Sequence, residues 1–333
     1  MNTGPNQLKD PWTALWQTGA GSSCFENADD ELHLSQFWGE HVDALPDHAR
    51  MLDLATGNGT VAQICAARAI ESKKHLEIDA IDAADIDPSA HVPDADPLLA
   101  RIRFHGNTHL EALPFRDGIF TSVVSQFGFE YACETRSASE IVRVLEPGGR
   151  LRLVIHAKSG AVARDVKLRL ARMHRVLAEN GPVSLVLELA RANEEGDMAK
   201  VKSKSDYLPA AVKLSKELFS DPLPNDSALF YSMESLMLWA HRKRYTSEAL
   251  RRSIEQGWTN INDMAVRQEQ MLAAGRGKKD IKRIEQRFEA FGLTLVRMVK
   301  IRDKNNAQIA WNIDAIKPLD AVTLPARETT NST

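Results

Sequence analysis

The chain has 333 residues, of which 42 are Lys or Arg and 45 are Asp or Glu, and its formal net charge is −3. This length can bury one large core with an insertion, or it can form two domains of ordinary size. The balanced charge provides no field to hold nucleic acid or an anionic membrane, so we expect neither as a partner.

Other features of composition predict a cytoplasmic protein. The first residues, MNTGPNQLKDPW, are polar, and no apolar run approaches the length of a transmembrane helix. The three cysteines, Cys24, Cys65 and Cys133, are far apart and have no paired spacing. We therefore expect a reduced protein without a metal site.

The first predicted elements are a helix, a strand, a glycine turn and a second helix. Apolar residues recur at helical spacing over 31–45, and the apolar run at 51–55 predicts a strand. Gly57 and Gly59 then open an amphipathic stretch at 60–70. Glycines allow positive φ and a close backbone, and a helix N-terminus offers unpaired N–H groups, so this turn predicts a nucleotide-type ligand.

Further strands are predicted along the chain, at 75–84, 101–105, 119–125 and 151–156. Helical segments lie between them, including 137–145, and this β-α alternation is typical of a parallel sheet covered on both faces. The runs at 293–302 and 308–317 predict an antiparallel hairpin. The predicted fold class is therefore α/β, with a doubly wound, mostly parallel seven-stranded sheet closed by that hairpin.

A long helical stretch separates the fifth strand from the hairpin. Its pattern is broken at 180–182, 207–209 and 221–224, and its last part, 280–291, is the helix expected before the hairpin. The remainder predicts a helical cap. The predicted divisions are an N-terminal helical lid and lead-in at 1–50, a Rossmann-like core at 51–158, the insertion at 159–279, the last helix and hairpin at 280–320, and a flexible tail at 321–333.

Four segments in order resemble the class I S-adenosylmethionine-dependent methyltransferases. They are LDLATGNGT around the glycine turn, ADIDP after the second strand, FHGNTHLEALPFRDGIFTSVVSQFG through the fourth strand, and EIVRVLEPGGRL before the fifth. The closing hairpin adds to the resemblance, which covers 51–156 and 285–318. It implies the family's fold, S-adenosyl-L-methionine as cofactor and S-adenosyl-L-homocysteine as product.

The resemblance implies roles for residues around the cofactor. Asp53 would receive the ammonium, Gly57 and Gly59 would lie against the amino acid moiety, and Asp85 would bind both ribose hydroxyls. Asp82 lies three residues earlier in an acidic strand, so a slip of register would exchange its role with that of Asp85. The remaining expected cofactor contacts are Ala55, Asn58, Ile86, Asn107, Thr108, Gln126 and Trp16.

The adenine edge would be contacted by the Asn107 amide and by the backbone of Thr108. This segment departs from the family, which more often has an aspartate at this point. In addition, two extra residues separate Asn107 from Leu113-Pro114-Phe115. The assignment of these two residues therefore depends on where the loop places the additional length.

The acceptor is expected beyond the carboxyl ends of the strands, where ligands bind in open α/β sheets. Glu130, Tyr131 and His156 are the candidates for direct chemistry there, and each is also compatible with a purely structural role. Trp12 and Trp16 resemble the tryptophan-bearing N-terminal lid of thiopurine and thiol methyltransferases. These aromatic faces would suit a sulfonium or shield the reaction from water, or they pack the segment onto the core.

The leading hypothesis is methyl transfer to the O, N, S or C atom of a small-molecule acceptor. Two alternatives stay open. One is a nicotinamide-dependent oxidoreductase, because Gly57-x-Gly59-x-x-Ala62 also fits the dinucleotide fingerprint. The other is a non-catalytic protein that binds adenosylmethionine, because no base is obvious. A homodimer is also left open.

Overall fold

The computed structural model describes residues 10–20, 28–92, 97–223, 225–303 and 305–319, without the side chains of 28–33. The described residues form two compact units. The first contains the described parts of 1–160 and 275–333, and the second is Ala161–Ala274. The second unit lies within the stretch 159–279 that the sequence assigns to an insertion. The predicted tail lies outside the described residues.

The first unit is built on a seven-stranded sheet with the strand order β3-β2-β1-β4-β5-β7-β6. Strands β1 to β5 pair in parallel, whereas β7 runs antiparallel to both β5 and β6. The predicted fold class is therefore confirmed. The strands are β1 (Ala49–Leu54), β2 (Leu76–Ile81), β3 (Ile102–His105), β4 (Phe120–Gln126), β5 (Leu145–His156), β6 (Thr294–Arg302) and β7 (Gln308–Ile316).

Helices of this unit precede the sheet or connect its strands. In α3, Gly59 supplies the N-cap with φ +85°, a left-handed conformation that glycine adopts without a Cβ clash. The fully buried side chains of Leu52, Val123 and Leu153 contribute to the core formed by the sheet and its helices. The helices are α1 (Pro11–Trp16), α2 (Ala28–Asp43), α3 (Thr60–Glu71), α4 (Pro88–His91), α5 (Glu134–Val144) and α12 (Lys278–Ala290).

The second unit is helical and has its own buried clusters, which include Leu189, Ile254 and Ile261. Pro182 occupies the first turn of α7, where its missing N–H removes no intrahelical bond. Gly196 ends the same helix with φ +75°, a break that the sequence analysis does not predict. The helices are α6 (Ala161–Leu177), α7 (Pro182–Glu195), α8 (Met198–Ser205), α9 (Leu208–Ser220), α10 (Ser227–Ala240) and α11 (Ser247–Ala274).

The two largest differences between predicted and observed strand boundaries are in β5 and β2. The fifth strand begins at Leu145 rather than at 151, and its pairing with β4 shifts register between Phe120 and Ser122. The second strand ends at Ile81, whereas the prediction extends it to Ala84. In addition, no helix in the described ranges is both long and apolar enough to cross a membrane.

Candidate functional site

A cavity of about 520 Å³ lies in the first unit, at the carboxyl edge of the sheet. The end of β1 supplies Asp53 and Ala55, residues 82–84 follow β2, and residues 126–128 end β4 and begin the next turn. Strand ends converge here because parallel strands terminate at the same edge. The cavity therefore lies where the sequence analysis expects a ligand.

Backbone conformation at this edge is unusual. Ala55, Asn107 and Phe127 line the cavity and have φ between +52° and +56°, a region that non-glycine residues seldom occupy. At Gly128, a Cβ would lie 2.3 Å from the Ala55 Cβ, so the chain after β4 packs directly on the end of β1. Strained residues of this kind concentrate at functional sites.

Trp16 of α1 covers the glycine turn. A Cβ on Gly57 would lie 2.6 Å from the Trp16 ring, and the Asn58 side chain donates to the Trp16 carbonyl at 2.9 Å. A Cβ on Gly59 would lie 2.7 Å from the Phe104 ring. Of these residues only Trp16 lines the cavity within the described ranges. These contacts hold the turn in place, and the ligand contacts expected of residues 57–59 stay a prediction.

Asp53 is buried at the cavity wall. Thr56 donates its hydroxyl to the Asp53 carboxylate at 2.6 Å. Burial is the main reason that the pKa of Asp53 rises to about 7, and the charge of Asp82 adds to the rise. A cation bound beside Asp53 would stabilise its charged form. The placement fits the ammonium partner that the resemblance implies.

The acid at the end of β2 is Asp82. Its carboxylate is buried and accepts from the N–H groups of Gly57 at 2.8 Å and Ala84 at 2.9 Å. Burial raises its pKa, and the nearby charge of Asp10 acts in the same direction. Asp85, in contrast, is exposed and accepts from the Asn107 amide at 3.0 Å. Asp82 lines the cavity, whereas Asp85 is not among its described lining residues.

The loop after β3 brings one of the two adenine candidates, Asn107, to the cavity. Asn107 is a lining residue, whereas the N–H of Thr108 donates to the Asp82 carbonyl at 2.8 Å. Thr108 therefore has no free backbone donor for a ligand. His109 and Leu110 line the cavity instead. The two additional residues before Leu113 were the sequence signal for this shift.

Packing holds two further expected contacts, Ile86 and Gln126. Ile86 belongs to a small apolar cluster with Trp16 and Ala84, which line the cavity, but Ile86 is not itself among the described lining residues. Gln126 does line the cavity, and its amide oxygen accepts from Trp38 Nε1 at 2.7 Å. Trp38 is fully buried in α2, so it fixes the orientation of the Gln126 amide.

Of the three catalytic candidates, Tyr131 lines the described cavity and the other two do not. The Tyr131 ring contacts the Trp12 ring edge-on, with centroids 5.5 Å apart. Glu130 is buried and accepts from the His156 N–H at 2.7 Å, and burial raises its pKa to about 7. The His156 ring stacks on Phe127 at 4.1 Å, and burial lowers its pKa to about 3, so it is neutral. The His156 ring thus packs on Phe127 of the lining while Glu130 holds the His156 backbone, and a direct chemical role for either stays a prediction.

The charge of the cavity lining is acidic. Asp10, Asp53, Asp82 and Glu111 contribute carboxylates, and no Lys or Arg is found among the described lining residues. Asp10 and Glu111 are not among the expected site residues, although Glu111 lies within the segment that resembles the family. Carboxylates favour an ammonium or a sulfonium and disfavour phosphate. The lining thus fits adenosylmethionine and does not fit a dinucleotide.

Comparison with known proteins gives one matching family model, described as a methyltransferase domain, over residues 52–153. The chain is 37% identical over 116 residues to a demethylmenaquinone methyltransferase from Thermus thermophilus, covering 31% of this chain and 44% of that protein. It is 35% identical over 105 residues to a ubiquinone/menaquinone biosynthesis C-methyltransferase from Geobacter sulfurreducens, covering 30% and 39%. The chain thus spans less than half the length of these curated relatives.

Among solved structures, the chain is similar to a SAM-dependent methyltransferase from Aquifex aeolicus. The sequence identity is 11% and the TM-score is 0.41, with 86% of this chain and 89% of that chain covered.

Proposed function

We propose that this chain, whose core is a class I adenosylmethionine-dependent methyltransferase domain, transfers a methyl group to a small-molecule acceptor. The observation that supports the proposal is the acidic cavity at the carboxyl edge of the sheet. Bound adenosylmethionine supplies an electrophilic methyl group on a sulfonium.

In this proposal, two buried carboxylates hold the cofactor. Asp53, at the end of β1, receives the ammonium group. Asp82, at the end of β2, accepts from the ribose hydroxyls, because it is the acid of this strand that reaches the cavity. The carboxylate already accepts from two N–H groups, which fix its position before a ligand binds.

Adenine recognition is assigned to the loop after β3. Leu110 lines the cavity, and its N–H has no hydrogen-bond acceptor within the described part of the chain. That N–H takes the role expected of the Thr108 backbone, and His109 lines the cavity together with Asn107. The aromatic rings of Trp12, Trp16 and Tyr131 exclude water from the reacting atoms.

The cofactor choice is tested by thermal-shift titration of the full chain with adenosylmethionine, adenosylhomocysteine and NAD. At a ligand concentration of 100 times Kd, binding stabilises the folded state by about 2.7 kcal/mol. We expect both adenosyl compounds to raise the melting temperature and NAD to leave it unchanged. Stabilisation by NAD alone would favour an oxidoreductase.

Catalysis is tested separately by release of adenosylhomocysteine with a metabolite extract. Turnover supports the proposal, and repeated absence of turnover despite tight cofactor binding favours the non-catalytic alternative. The cap role of the helical unit, a cytoplasmic location, a homodimer and the absence of nucleic-acid or membrane partners stay predictions.

A further inference from the structure

We infer that the methyl acceptor is an amine without anionic groups. This inference rests on the proposed function and concerns the same cavity. Asp53 and Asp82 are assigned there to the cofactor, which leaves Asp10 and Glu111 as two further carboxylates in the lining. Without Lys or Arg among the described lining residues, an acidic acceptor would enter a cavity of its own charge.

Both carboxylates line the same cavity as the rings of Trp12 and Tyr131. Glu111 accepts the N–H of Cys133 through Oε1 at 2.7 Å, which holds it beside the turn that carries Tyr131. The Trp12 ring meets the Tyr131 ring at 5.5 Å, and Asp10 lies two residues before Trp12. Cationic nitrogen is attracted both to carboxylates and to aromatic faces.

A bound amine would supply a hydrogen-bond donor to the second carboxylate oxygen of Glu111. Its Oε2 has no hydrogen-bond donor among the residues that the structure describes, and the side chain is partly exposed. An amine N–H would supply that donor. Before the transfer, the bound ammonium passes one proton to Glu111 and then to solvent, which frees the nitrogen lone pair. The neutral nitrogen then forms a bond to the methyl carbon as the carbon–sulfur bond breaks and its electron pair stays on sulfur, and the product leaves as a methylated ammonium.

A set of probes that share one ring system and differ in charge tests the inference. Tryptamine is cationic, tryptophol is uncharged and indole-3-propionate is anionic. Binding to the full chain is measured by calorimetry in the presence of adenosylhomocysteine. We expect tryptamine to bind roughly tenfold or more tightly than tryptophol, and indole-3-propionate to bind least.

Two isosteric variants test whether Glu111 and Asp10 are the carboxylates that bind the amine. Glu111→Gln keeps an oxygen for the Cys133 N–H, and Asp10→Asn keeps the cap that accepts from Thr13 N–H at 3.1 Å. Each should reduce the preference for tryptamine over tryptophol roughly fivefold to tenfold. The exposed Glu289→Gln is the matched control and should leave the preference unchanged.

The outcomes separate this inference from the proposed function. Absence of adenosylhomocysteine binding would overturn the proposed function itself. Normal adenosylhomocysteine binding with equal or weaker binding of tryptamine relative to tryptophol would overturn the amine assignment alone. Methyl transfer to the carbon of 1,4-naphthohydroquinone, with none to tryptamine, would do the same. Transfer to tryptamine that falls in Glu111→Gln supports the inference.

Discussion

At the residue scale, Asp82 and Asp85 lie only three positions apart after β2 but have different surroundings. Asp82 is buried and held by two backbone N–H groups, whereas Asp85 is exposed and bonded to Asn107. The sequence ADIDP favours Asp85 because an acid before proline resembles the end of a strand. A one-dimensional pattern cannot show that β2 pairs with β1 only as far as Ile81.

We therefore predict that Asp82→Asn weakens adenosylhomocysteine binding by about tenfold to a hundredfold, because charge-assisted hydrogen bonds contribute about 1.5–3 kcal/mol each. Asp85→Asn is the matched control and should change the affinity by less than about threefold. Calorimetric titration of both variants checks this. A larger loss in Asp85→Asn would return the ribose assignment to Asp85.

At the element scale, the turn after β4 is fastened to β5 by the side chain of Glu130. Oε1 accepts the His156 N–H, and burial raises the Glu130 pKa to about 7. Between the unfolded value of about 4.5 and the folded value, the folded state binds more protons than the unfolded state. Glu130 therefore lowers the free energy of unfolding as pH rises through this window.

From this we predict that Glu130→Gln gains stability relative to the parent chain as pH rises. The difference in free energy of unfolding should change by up to about 3 kcal/mol between about pH 4.5 and pH 7.5, and stay constant at higher pH. Urea unfolding at several pH values measures it, with the exposed Glu289→Gln as control. A pH-independent difference would contradict the assignment.

Local patterns predicted most elements of the first unit but not the contacts between distant ones. The strand and helix periods identified β1, α3, β4 and the closing hairpin because each repeats within one segment. The close approach of the Trp16 ring to Gly57 is a contact between residues far apart in sequence. The hydrogen bond from Trp38 to Gln126 is another. These contacts depend on tertiary packing, which periodicity does not encode.

At the scale of the whole molecule, each of the two units has buried clusters of its own residues. We predict two thermal unfolding transitions by calorimetry, because units with separate cores need not unfold together. Leu153→Ala should lower the transition temperature of the first unit, and Leu189→Ala should lower that of the second. Each substitution should reduce the free energy of unfolding of its unit by about 2–5 kcal/mol. Adenosylhomocysteine should raise the transition that Leu153→Ala lowers, and a single shared transition would contradict this.

The position of β7 between β5 and β6 also constrains the order of events during synthesis. About 150 residues separate the end of β5 from the start of β7, and a ribosome adds roughly 5–20 residues per second. Synthesis of β7, the strand that pairs with this edge of β5, therefore begins roughly 8–30 s after β5 is complete. During that time the nascent sheet offers an open pairing edge, so we expect misfolding of this chain to proceed by exchange of β7 between two copies.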